Sequence, residues 1–307
     1  MKIRIGTRGS KLALWQAYHV QDLLEKNGAE TEIVTIETKG DKILDVSISK
    51  IGSKGVFTEE IEEQLASGTI DIAVHSAKDM QSELPEGFEL IAIGEREKAS
   101  DVLISNNKNL NLNNAKLKIG TSSTRRIAFL KKYYPEVSTV PIRGNLQTRI
   151  RKMKEGQCDA LFLAFAGVHR MGYNDQITFE MDVQKFIPAV GQGSIAIETY
   201  TSLSSEKSEF VRSSINHEPS EIAIRAERAY LKKMQGGCSV PIFGYAQIIG
   251  DQVTLKGGII SLDGREIVVS ESQAPITNPE LAGESLGKYV LENGGAKILE
   301  QIRKEQQ

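Results

Sequence analysis

Strand-and-turn signatures recur in the same order in the first and second parts of the chain, and this recurrence narrows the possible folds more than any other feature. Arg4-Ile5-Gly6-Thr7-Arg8-Gly9-Ser10 leads into an apolar helical pattern at Leu12, Leu14, Trp15, Tyr18 and Val20, and Lys118-Ile119-Gly120-Thr121-Ser122-Ser123-Thr124-Arg125-Arg126 leads into another. Glu37-Thr38-Lys39-Gly40 closes a strand carrying Ile33, Val34 and Ile36, as Ile142-Arg143-Gly144-Asn145 closes one carrying Val137 and Val140. Gly68-Thr69-Ile70-Asp71-Ile72-Ala73 opens a further strand, and Gly156-Gln157-Cys158-Asp159-Ala160-Leu161 opens its counterpart. Strands alternating with helices require right-handed crossovers and a mostly parallel sheet. The pattern therefore predicts two similar α/β lobes that arose by duplication.

A strand that feeds a helix through a short Gly/Ser turn points backbone N–H groups and the positive helix end at one spot, which suits an anion. In such sheets ligands sit beyond the carboxyl ends of the strands. Those positions are rich in cations and hydroxyls: Thr7, Arg8, Ser10, Lys39, Ser76 and Lys78 first, then Thr121, Ser122, Ser123, Arg125, Arg126, Arg143, Asn145, Arg149 and Arg170. The whole chain carries a formal charge of −2, so nothing draws it generally to nucleic acid or an anionic membrane. The local excess points instead to a cleft for a polyanion, although Lys39 and Arg149 also suit solvated helix faces. No Walker or dinucleotide glycine pattern occurs, which favours carboxylates over phosphates as the anion. Asp79, in His75-Ser76-Ala77-Lys78-Asp79, is the one acid set among the cations. It can transfer protons or merely pair with Lys78 or an arginine, and His75 reads as a structural histidine.

Near the other end, Gln235-Gly236-Gly237-Cys238-Ser239-Val240-Pro241 sets a thiol between two glycines and a proline. An amphipathic helix from Pro219 to Met234 precedes it, with Gly236 as the expected cap, and a strand from Ile242 to Ile249 follows. The loop is suited to presenting Cys238, whereas the alternative for a lone cysteine is a small buried hydrophobe. Cys158, at the start of an apolar strand, fits that second description. Two cysteines and four histidines supply neither a thiolate-rich metal site nor a disulfide framework, so no metal and a reducing, cytoplasmic setting are expected. The first residues run straight into a strand pattern without a signal-peptide core, and no apolar run is long enough for a membrane span.

Gly6-Thr7-Arg8-Gly9-Ser10-Lys11-Leu12-Ala13, His75-Ser76-Ala77-Lys78-Asp79, Gly120 through Arg126, Arg143-Gly144-Asn145, Pro188-Ala189-Val190-Gly191-Gln192-Gly193 and Gly236-Gly237-Cys238 together resemble the porphobilinogen deaminase (hydroxymethylbilane synthase) family across nearly the whole chain. The resemblance implies a transferase of tetrapyrrole (haem) synthesis that joins four porphobilinogen units head to tail, with loss of ammonia, into hydroxymethylbilane. It implies a dipyrromethane cofactor bound covalently to Cys238 through a thioether; one carboxylate can serve the proton transfers of that reaction, and Asp79 is the expected catalytic acid and base. Carboxylate contacts are implied at Arg8, Ser10, Lys54, Ser76, Lys78, Thr121, Ser122, Ser123, Arg125, Arg126, Arg143, Gly144, Asn145, Arg149 and Arg170, with Gln192 lining the cleft. The implied fold has two lobes like periplasmic binding proteins, with mixed, mostly parallel sheets, plus a small C-terminal α+β domain. Residues 1–94 and 194–213 would form the first lobe, 100–188 the second, and 216–307 the domain that carries Cys238, in a monomer.

Two segments depart from the family pattern. Met80-Gln81 follows the Lys-Asp pair where a small residue and proline are usual, and Lys98-Ala99-Ser100 replaces an acidic residue, proline and arginine in the crossing between lobes. The second change leads us to expect a looser hinge. Leu44 to Phe57 has no counterpart in the second lobe and reads as a lid that carries Lys54 over the cleft. The competing function is a non-catalytic two-lobed binding protein for a polycarboxylate. A covalent two-pyrrole adduct in the intact mass separates the two.

Overall fold

The computed structural model describes residues 1–42, 58–113, 116–237 and 240–306. The chain starts with β1 (Lys2–Arg8), α1 (Lys11–Lys26), β2 (Glu30–Ile36), α2 (Glu59–Ala66), β3 (Ile72–Ser76), a single 3-10 turn (Ala77–Asp79) and β4 (Phe88–Ile93). It crosses to β5 (Asp101–Ile104), β6 (Lys118–Gly120), α3 (Thr124–Tyr133), β7 (Ser138–Val140), α4 (Leu146–Lys154), β8 (Ala160–Ala164), α5 (Phe165–Arg170) and β9 (Ile177–Glu180). After returning through β10 (Ile195–Tyr200) and α6 (Ser205–Ile215), it ends in α7 (Glu218–Lys233), β11 (Ile242–Ile249), β12 (Gln252–Ile260), β13 (Ile267–Pro275), α8 (Glu280–Val290) and α9 (Ala296–Gln306).

Two sheets share one topology, with strand orders β2-β1-β3-β10-β4 and β7-β6-β8-β5-β9. In the first, β1 pairs in parallel with β2 and β3, while β10 runs antiparallel between β3 and β4. In the second, β6 pairs in parallel with β7 and β8, while β5 runs antiparallel between β8 and β9. The reversed strand of each sheet is the one that arrives directly from the other lobe. The duplication extends to packing: Gly6 in β1 and Gly120 in β6 hold equivalent places between their parallel neighbours, and at neither does a Cβ fit without a shift of its surroundings. At Gly6 the added atom would meet the Ile70 side chain; at Gly120 it would lie 2.7 Å from both Cys158 Sγ and Ile142 Cγ1. Cys158 is buried in that core, and burial pushes its thiol up to about 11.

The last sheet, β11-β12-β13, is antiparallel and packs on α7 and α8 around Tyr230, Leu255, Ile259 and Leu286. Its Phe243 and Ile260 enter the core of the second lobe beside Phe129, and Ile224 of α7 packs on Ala77 and Met80 of the first. The C-terminal helical stretch is two helices, α8 and α9, broken at Asn293 and at Gly294 with φ of 109°. The crossing without proline is well tied. Arg96 donates to Glu227 Oε1 at 2.5 Å, to Gln192 O at 3.0 Å and, through its backbone N–H, to Ser220 Oγ at 2.9 Å. Buried Glu227 also accepts from Gly191 N at 2.7 Å and Ala246 N at 2.8 Å, so both crossings and the last sheet meet at one carboxylate.

Candidate active site

A cavity of about 840 Å³ opens at the strand ends of the two five-stranded sheets. Three helices begin on its wall, each with a side-chain cap: Ser10 Oγ accepts from Ala13 N, Ser123 Oγ from Arg126 N and Asn145 Oδ1 from Thr148 N. Their positive ends therefore converge on one space, as the two Gly/Ser turns predicted, with the helix capped by Asn145 as an addition. Among the described residues, Arg8, Lys78, Arg126, Arg143, Arg149 and Arg170 line the cavity, against Glu37 and Asp79 as the acids. This excess of cations is costly without an anion. Burial, opposed by Asp79, pushes Lys78 down to about 8, and burial together with Arg126 and Arg143 pushes Arg149 down to about 10. Burial also lowers Arg170, whose guanidinium donates to Gly193 O at 2.7 Å and lies over the Trp15 ring of the first lobe.

Asp79 ends the 3-10 turn after β3, exposed on the cavity wall, and no described residue hydrogen-bonds to its carboxylate. The turn itself is held firmly. Ala77 N donates to Ser194 O at 2.9 Å, and Gly191, with φ of 76°, lies flat against the Ala77–Lys78 peptide. Ser76 Oγ accepts from Gln16 Nε2 at 2.9 Å; Gln16 is a buried cavity residue that the sequence pattern does not single out, because a lone polar residue within the first helix carries no motif.

Arg8, Ser10, Ser76, Lys78, Asp79, Ser122, Arg126, Arg143, Gly144, Asn145, Arg149 and Arg170 are thus brought together on one wall. Thr121, Ser123, Arg125 and Gln192 do not line it. Arg125 donates to Asp101 Oδ2 at 2.7 Å and Ile187 O at 2.9 Å, and Arg126 donates to Asp101 Oδ1 at 2.7 Å and Phe162 O at 2.9 Å. Burial alone would push Asp101 up, but the two arginines outweigh it and hold the carboxylate well below its ordinary range. Gln192 Nε2 completes the cluster with bonds to Asp101 Oδ1 at 2.9 Å and Ala99 O at 2.6 Å. Asp101 was missed by the sequence reading, since it lies 24 residues before Arg125 and meets it only through the strand order of the second sheet.

Lys54, Cys238 and the Leu44–Phe57 segment lie outside the described residues. The flanks of Cys238 are defined: Val240 N donates to Gly237 O at 3.0 Å, and Gly236 N to Leu231 O at 3.1 Å. The left-handed residue that ends α7 is Gln235, with φ of 48°, rather than the expected Gly236. A Cβ at Gly236 would lie 2.5 Å from Ile242 Cδ1 and 2.7 Å from Leu231 Cδ1, so two side-chain ends would have to move aside. Among the described residues no helix is long and apolar enough to cross a membrane.

Residues 3–207 match the family model described as porphobilinogen deaminase, dipyromethane cofactor binding domain, and residues 222–292 match porphobilinogen deaminase, C-terminal domain. The chain is similar to a porphobilinogen deaminase of Desulfosudis oleivorans, 53% identical over 308 residues that cover 100% of this chain and 99% of that protein. It is likewise 53% identical over 303 residues to a porphobilinogen deaminase of Cytophaga hutchinsonii, covering 98% and 97% of the two chains. Among solved structures, the Bordetella pertussis BvgS VFT2 domain aligns with a TM-score of 0.44 at 14% identity, covering 69% of this chain and 86% of that one.

Proposed function

The chain belongs to the porphobilinogen deaminase family, and from that membership we propose that the cavity between its lobes is where it carries out the family's reaction. The protein is a transferase of tetrapyrrole synthesis that joins porphobilinogen units with loss of ammonia on a dipyrromethane cofactor. Membership over the full chain favours this over the non-catalytic binding protein. The donor set fits the cofactor: a dipyrromethane bears an acetate and a propionate on each ring, and the wall offers six cations against two carboxylates. When bound, the cofactor supplies the nucleophilic pyrrole to which the first unit is joined.

The protein's own groups do the rest. Arg8, Lys78, Arg126, Arg143, Arg149 and Arg170, with the hydroxyls of Ser10, Ser76 and Ser122 and the helix ends they adjoin, hold the acidic side chains and orient the rings. Asp79, without a competing hydrogen bond from a described residue, is available to the substrate. Its carboxylate holds the aminomethyl ammonium, stabilises the ring cation left as ammonia departs, and takes up the proton shed after the carbon–carbon bond forms. Thr121, Ser123, Arg125 and Gln192 act by setting the wall in place, through Asp101 and the start of α3. Attachment through a Cys238 thioether, a contact from Lys54, and a cytoplasmic monomer complete the reading; light scattering on a sizing column tests the last.

The observation that carries this reading is an exposed acid, Asp79, to which no described residue hydrogen-bonds, on a cavity wall where six cations face it. Asp79→Asn keeps size while removing proton capacity. We expect a folded, cofactor-loaded protein that elongates at least about 100-fold more slowly. Near-normal turnover would remove Asp79 from the chemistry.

A further inference from the structure

The turn that carries Lys78 and Asp79 is held from behind by Gly191 and Ser194, but its exit is held by a side chain. Gln81, two residues after Asp79, donates its amide N–H groups to Thr58 Oγ1 at 3.2 Å and Glu62 Oε1 at 3.2 Å. Both acceptors are buried at the start of α2, a helix from a different part of the first lobe. Where the family resemblance leads one to expect a proline, which has no side-chain donor, this chain has a two-bond strut between the turn and α2. Met80, between Asp79 and Gln81, is buried against Ala77, Ile93, Ala196 and Ile224, so the exit backbone cannot shift without disturbing that core.

The acceptor is an unusual one to leave in place without a purpose. Glu62 is buried beside Glu198, itself fully buried and 3.0 Å from His75 Nε2. A helix-surface carboxylate would avoid such a neighbour, and a buried carboxylate needs donors. Among the described residues, the Gln81 amide donates to it and the Thr58 hydroxyl also hydrogen-bonds to it. The contact therefore satisfies Glu62 and fixes the turn at once.

We propose that Gln81 is a positioning residue for the condensation reaction, tying the Lys78–Asp79 turn to the root of α2 through Glu62 and Thr58. The inference rests on Asp79 being the acid and base. Displacement of a reacting group by a fraction of an ångström lowers the rate of chemistry more than binding, because many other groups hold the substrate. Gln81→Leu keeps the volume and removes both bonds. It should lower kcat about tenfold with KM changed less than about twofold, in protein that folds and carries cofactor.

The distinguishing experiment exchanges the partners. Glu62→Gln alone keeps an acceptor for the Gln81 amide and should stay near wild type. Gln81→Glu alone sets two carboxylates together and should be as slow as Gln81→Leu or slower. The double variant Gln81→Glu/Glu62→Gln restores an amide–carboxylate bond with the roles reversed, and should recover most of kcat. Wild-type kcat in Gln81→Leu, or a double variant no faster than Gln81→Glu, would overturn the strut while leaving the reading of the site intact, provided Asp79→Asn is inactive. A fully active Asp79→Asn would overturn both.

Discussion

Gly191 lies against the turn that presents Lys78 and Asp79, and replacing it with alanine should separate the geometry of that turn from its chemistry. A Cβ built at Gly191 falls 2.8 Å from Ala77 C and Lys78 N, short of ordinary 3.4 Å contact by about 0.6 Å. All of these neighbours are backbone, so no rotamer change relieves the clash. The residue also has φ of 76°, which costs an alanine about 1–2 kcal/mol, and overpacking adds roughly 1–3 kcal/mol. Gly191→Ala should therefore lose about 2–5 kcal/mol of stability, read as a fall in melting temperature of roughly 5–15 °C. If the turn yields by several tenths of an ångström, kcat should fall by about 10- to 100-fold at temperatures where the protein remains folded. Steady-state assays on cofactor-loaded protein, with thermal unfolding in parallel, measure both. Gly193→Ala is the control: φ is 100° and its Cβ would meet the Glu97 carbonyl of the crossing rather than the turn, so stability should fall with a smaller effect on kcat. An alanine at 191 that left both melting temperature and kcat unchanged would refute the argument.

Lys78 is held down to about 8 by burial, and a bound carboxylate should raise it again, so binding of an acidic pyrrole near pH 9 should take up protons. Calorimetry in buffers of different ionisation enthalpy measures this, and Lys78→Met should abolish it. Because the folded value lies below the unfolded 10.5, the folded protein binds fewer protons between about 8 and 10.5. The penalty from Lys78 is thus fully present below pH 8 and relieved as pH rises to 10.5; urea midpoints of wild type minus Lys78→Met should show that slope. Asp101→Asn removes the charge that Arg125 and Arg126 share, and should cost about 3–5 kcal/mol in urea unfolding. Intact-mass analysis should find the two-pyrrole adduct lost in Cys238→Ser and kept in Cys158→Ser; an adduct that persists in the first variant would place attachment elsewhere.

Local chemistry was the legible part of the sequence. The caps at Ser10 and Ser123 act within three residues, so a turn followed by an apolar stripe sufficed to place two helix ends on one cavity, while the third, capped by Asn145, was legible only as the end of a strand. The cations that extend from those turns followed from the same reasoning. Partners far apart in the chain were not legible. Asp101 joins Arg125 because β5 is inserted in reverse between β8 and β9, which strand patterns alone do not disclose. Arg125 was accordingly read as facing the cleft when its guanidinium points into the lobe. Glu227 and Arg96 lie 131 positions apart, and each on its own resembles an ordinary surface charge. That ion pair ties the crossing in which the missing proline leads us to expect a looser hinge.

The strand exchange between sheets also sets an order of assembly. β10 stands between β3 and β4, so until residue 200 has been made β4 has no partner in its own sheet and β3 keeps one edge open. During synthesis the first lobe waits, with two unpaired strand edges, while the whole of the second is produced. The second lobe is spared this delay, because its reversed strand β5 is made before β6, β7, β8 and β9. The chain is thus built to finish its later half first, and a ribosome-stalled product ending before β10 would expose sticky edges rather than a folded module.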